Sequence, residues 1–127
     1  MTNWEIHEKK HGGGKGKKGW REFPAISIGK TNVSINALAM EAWLETANQV
    51  IICFAKGERK IGIKPIPVDE EVPEAYRLQK KETMLGVLTV KEIQIRFPDA
   101  IGHCYRAHMN GRGTIIEIEL SPENQIR

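Results

Sequence analysis

Gln49-Val50-Ile51-Ile52-Cys53-Phe54-Ala55 is a nearly continuous apolar run. It is short for a helix and rich in β-branched side chains, so it reads as a buried strand. On its C-terminal side, Lys56-Gly57-Glu58-Arg59 has the composition of a hairpin connection, and Lys60-Ile61-Gly62-Ile63-Lys64 returns as a second strand that Pro65 ends. On its N-terminal side, Asn36 is a good helix cap, and Ala37 to Leu44 are strong helix formers. Ala37, Met40, Leu44 and Ala47 share one helical face. Before that helix, Val33-Ser34-Ile35 reads as a short extended piece, Thr31-Asn32 as a turn, and Ala25 to Lys30 as a strand.

A similar order recurs after a stiff acidic linker at 67–74, which carries Pro67, Asp69, Glu70, Glu71, Pro73 and Glu74. Tyr76 to Lys81 reads as a strand and Val87 to Val90 as an extended piece. Thr89 and Glu92 form a Thr-x-x-Glu capping box, and Val90, Ile93 and Phe97 make the helical stripe that Pro98 terminates. His103 to Met109 and Thr114 to Leu120 are strands about the turn Asn110-Gly111-Arg112-Gly113, and Pro122 to Arg127 is a frayed end. Val33–Asn36 aligns with Val87–Val90, and Gly57 with Gly111, at a common offset of 54. Self-similarity at a fixed period points to duplication of one supersecondary unit. The expected fold class is therefore α+β: a duplicated strand-strand-helix-hairpin unit forming one pseudo-twofold domain with two short helices. Its half-repeats span about 25–66 and 75–121 within a single domain at 24–127.

The chain has 127 residues, 40% hydrophobic and 28% charged, which suits one globular domain. No apolar run reaches the roughly 20 residues of a membrane span, and the N-terminus lacks the apolar core of a secretory signal. Two cysteines do not make a disulfide framework. These features lead us to expect a cytoplasmic protein without membrane association. The net charge of +3 is localised: residues 1–23 hold six basic and three acidic groups, and residues 24–127 hold thirteen of each. The leader, with Lys15, Lys17 and Lys18 among glycines, has too few apolar groups to offset the entropy of ordering and reads as a flexible basic arm. Its lysines suit phosphate contact, or act only as a solubilising tail.

Val33-Ser34-Ile35-Asn36, Leu38, Trp43-Leu44, Val50-Ile51-Ile52 and Ile61-Gly62-Ile63-Lys64-Pro65 together resemble the AbrB/MazE/SpoVT-type swapped-hairpin modules, over about residues 26–65. Asn36 stands where that family has proline, and the second half matches more loosely. The resemblance implies a regulator that binds double-stranded DNA, with a double-module architecture of the MraZ type. By position it makes Lys30, Arg59 and Lys60 the phosphate-contacting residues, and the charge of the 56–64 hairpin adds Lys56.

Enzyme chemistry finds no foothold in the pattern. Cys104 and His108 share a strand face but lie ~13 Å apart along it, too far to hold one metal. Cys53 sits in the most apolar strand and reads as a small buried hydrophobe. The glycines and lysines at 12–17 lack the order of a phosphate-binding loop. The sequence therefore leads us to expect a small DNA-binding transcriptional regulator without catalytic residues, cofactor or metal, and homo-oligomeric. The alternative is a protein-interaction or oligomerisation module with no nucleic-acid role, built on an exposed strand edge or apolar patch.

Overall fold

The computed structural model describes residues 22–126. The strands are β1 (Ala25–Ile28), β2 (Val33–Ile35), β3 (Gln49–Phe54), β4 (Lys60–Ile66), β5 (Tyr76–Arg77), β6 (Gln79–Lys80), β7 (Gly86–Leu88), β8 (His103–Met109) and β9 (Ile116–Glu119). All pair antiparallel in one nine-stranded sheet of order β5-β3-β4-β9-β8-β1-β2-β7-β6. Its two ends are consecutive in sequence. Tyr76 pairs with Val50, the Leu78 N–H donates to the Asn48 carbonyl at 2.9 Å, and two residues later Lys80 pairs with Gly86. One short segment thus stitches the two edges together, and the sheet becomes a nearly closed barrel.

This overturns the expected α+β class. The molecule is mainly β, with a single α-helix of more than one turn among the described residues, α2 (Lys91–Arg96). The helix expected from Ala37 to Leu44 is α-helical only over Ala37–Ala39 (α1) and continues as a π-helical turn over Met40–Leu44. Two alike strand-strand-helix-hairpin units do not describe the molecule either. β1 pairs with β8, β2 with β7, β3 with β5 and β4 with β9, so each half of the chain completes its hydrogen bonding in the other. The physical reason is near-closure: short strands bury both backbone and apolar side chains more completely as fewer edges are left over.

The barrel is filled by inward-facing aliphatic side chains at alternate positions. Ile26, Ile28, Val33, Ile35, Val50, Ile61, Ile63, Leu88, Ile116 and Ile118 are each at most 1% exposed. The two helical segments close its ends, α1 and its π-turn burying Ala39, Met40 and Leu44, and α2 with its flanks burying Val90, Ile93, Phe97 and Ala100. Asn36 caps α1 as its sequence position suggests. Its Oδ1 accepts from Ala39 N–H at 3.0 Å and from Ala25 N–H at 3.1 Å, and its Nδ2 donates to the Phe23 carbonyl at 2.6 Å.

Three local expectations change. The Thr89–Glu92 capping box does not form: α2 starts one residue later, with Val90 as its cap, and Glu92 instead pairs with Arg96 at 2.9 Å. Pro65 lies within β4, opposite Val50, where β9 no longer pairs and a missing N–H costs no ladder bond. The C-terminus is not frayed through 122–126: Gln125 bridges Tyr105, and the Ile126 N–H donates to the Cys104 carbonyl at 2.8 Å.

Candidate nucleic-acid interface

One end of the barrel gathers most of the basic residues singled out in the sequence. The β1–β2 turn brings Lys30, and the β3–β4 hairpin brings Lys56, Arg59 and Lys60. Helix α2 lies across the same end. Gln94 Nε2 donates to the Gly29 carbonyl at 3.0 Å, tying the helix to the first turn. Arg59 ties the hairpin to the residues just after α2, donating through one NH2 group to Asp99 Oδ2 at 2.7 Å and through Nε to the Leu120 carbonyl at 3.0 Å.

Two guanidiniums and two phenyl rings interleave there. The Arg59 guanidinium lies 5.3 Å from the centre of the Phe97 ring. Phe97 and Phe54 meet with centroids 6.3 Å apart, tilted by 38°. The Arg96 guanidinium lies 4.2 Å over Phe54, with Glu92 holding its Nε. Cation–π contact and the carboxylates fix both planar cations while leaving each side chain about half exposed, at 47% for Arg59 and 50% for Arg96. A cation already held in place loses little further freedom when it meets an anion.

The sequence-derived residues fare differently. Lys30 and Lys56 are exposed and form no ion pair among the described residues. Arg59 is spent partly inside the fold, and Lys60 Nζ lies between Glu58 at 3.8 Å and Glu117 at 3.6 Å. These are surface pairs worth at most about 1 kcal/mol each, so exchange of a carboxylate for a phosphate carries a small cost. Lys15, Lys17 and Lys18, with the arm to residue 21, lie outside the described residues. Sequence reasoning missed Arg96, and with it Lys91, exposed at the start of the same helix. The Glu92–Arg96 spacing was a legible hint of an ordered guanidinium, but its stacking on Phe54 links positions 42 residues apart in the chain.

The opposite end carries Glu41 and Glu45 on and after the π-turn and Asp69, Glu70, Glu71 and Glu74 in the connection after β4, with Lys64, Arg77 and Lys80 on the same side and Lys80 Nζ donating to the Glu45 carbonyl at 2.9 Å. Carboxylates outnumber cations among these residues, whereas the cations of the turn end are largely matched by Glu58, Glu92, Asp99 and Glu117, so charge is unevenly divided along the barrel. Beside the basic end, burial pushes the Tyr105 phenol above its ordinary pKa, and Asp99 adds to that rise. No three His, Cys, Asp or Glu side chains among the described residues converge as a metal site would require. No helix among them is long and apolar enough to cross a membrane. Comparison with family models, curated proteins and solved structures finds no match to this chain.

Proposed function

We propose that the protein is a small DNA-binding regulator that meets duplex phosphates with the end of the barrel formed by Lys30, Lys56, Arg59, Lys60 and Arg96, the lysine-rich leader adding further contacts. The observation that carries this reading is the Arg59–Phe97–Phe54–Arg96 stack, which holds two half-exposed guanidiniums between two lysine-bearing turns. The AbrB-type pattern over residues 26–65 points the same way, since Lys30, Arg59 and Lys60 hold the positions that it makes phosphate-binding. Each phosphate neutralised releases counterions, so binding is expected to weaken steeply with salt. Fluorescence anisotropy on a labelled mixed-sequence duplex is the direct test. Binding at low salt that weakens on removal of residues 1–21, and again on Arg96→Ala, supports the reading. No binding at low salt refutes it.

A second reading, a protein-assembly module, is favoured by a different observation: the outer edge of β3 beyond Val50 has no strand partner among the described residues.

A further inference from the structure

β3 pairs with β4 along its whole length, from Gln49 opposite Ile66 to Phe54 opposite Ile61. Among the described residues, its other edge is covered only at the start. Leu78 bonds to Asn48 and Tyr76 pairs with Val50, and then the chain folds away, the Ala75 N–H donating to the Val72 carbonyl at 3.0 Å. In an antiparallel strand, successive residues turn their N–H and C=O groups to opposite sides. Ala55 donates to the Lys60 carbonyl, so Ala55, Cys53 and Ile51 face β4, while Phe54, Ile52 and Val50 face outward. Val50 is taken by Tyr76. Ile52 and Phe54 present their backbone groups along an edge that carries no charge, no proline and no bulge from Gln49 to Ala55. Natural edges usually carry one of those guards, and an unguarded one is a template for another strand.

We infer that this edge is closed by the same edge of a second copy of the chain, in an antiparallel pair about a two-fold axis at Cys53. The register follows from what is free. Ile52 opposite Phe54 of the second copy, and the reciprocal pair, use every outward group beyond Val50 without displacing Tyr76. No side chain from Gln49 to Ala55 is charged, the Arg96 guanidinium over Phe54 is held by Glu92, and an isologous two-fold contact is the commonest way for a chain to associate. This register places the two Cys53 residues directly opposite each other at a non-hydrogen-bonded position, with Cα atoms ~4.5 Å apart. That separation is within the range of a disulfide. Cys53 pairs with Gly62 on the outer face of the sheet, away from the buried Ile61 and Ile63, and its thiol is free. The inference is independent of the nucleic-acid reading.

Sedimentation of the full chain, with diamide oxidation read on a non-reducing gel, tests it; diamide accepts the two electrons and two protons released as the disulfide forms. A dimer is expected, cross-linked in the wild type and in Cys104→Ser but not in Cys53→Ser. Cys53→Lys, which opposes two ammonium groups at the axis, is expected to shift it to monomer with an unchanged circular dichroism spectrum. A strict monomer at millimolar concentration overturns the inference. So does a dimer that Cys53 does not cross-link, even if Cys53→Lys fails to fold.

Discussion

Asn36 shows how much one polar side chain can organise. It is the only buried polar or charged residue among those described, at 3% exposure, and it joins the start of β1, the Phe23 carbonyl and the first turn of α1. Asn36→Ala leaves the Ala25 and Ala39 N–H groups without their acceptor, and chemical denaturation should show a loss of about 1–3 kcal/mol. Tyr105 sets a different dependence. Its phenol is held above the ordinary value in the folded chain, chiefly by burial, so the unfolded chain loses this proton first as pH rises. Its contribution is therefore constant below about pH 10, the ordinary tyrosine value, and folding stability should fall as pH climbs above it. Thermal melts across that range should show a shallower alkaline decline for Tyr105→Phe than for the wild type.

At the scale of elements, the strands were largely legible and their partners were not. The run Gln49–Phe54, the return from Lys60 and the strand His103–Met109 are β where their side chains predict it, because alternation and β-branching are local signals. Pairing is a property of the closed sheet. Nothing in Tyr76-Arg77-Leu78-Gln79-Lys80 announces that its first residues bond to β3 and its last to β7, and that division is what turns an apparent half-unit into the clasp of a barrel. Helix content was overestimated for the same reason. Ala37 to Leu44 are good helix formers, but the end of a small barrel accommodates only a short plug, part of it wound as a π-turn. Of the candidate site, the hairpin carrying Lys56 could be read directly and Lys30 was read as the end of a strand that stops at Ile28, whereas the Arg96–Phe54 stack needed the tertiary fold. The clasp can be tested alone. Leu78 is 5% exposed and sits between β5 and β6, so Leu78→Ala should lower stability by about 2–5 kcal/mol. Hydrogen exchange should locate the first loss of protection at β5, β6 and the start of β3, rather than in β8 or β9.

For the molecule as a whole, the distribution of charge along the barrel is what the proposed function rests on. Its acidic connection and its lysine-bearing turns lie at opposite ends, so the proposed duplex would meet less repulsion at the turns. The net charge of +3 understates this separation. The most direct test of the account is the salt dependence of duplex binding, compared between the wild type and the Lys30→Gln/Lys56→Gln variant, whose lysines form no ion pair among the described residues and so should leave the fold intact. The account predicts a logarithmic slope of about −3 to −5 for the wild type, with a magnitude smaller by about 2 in the variant. Equal slopes, or no measurable binding by the wild type at low salt, would contradict it.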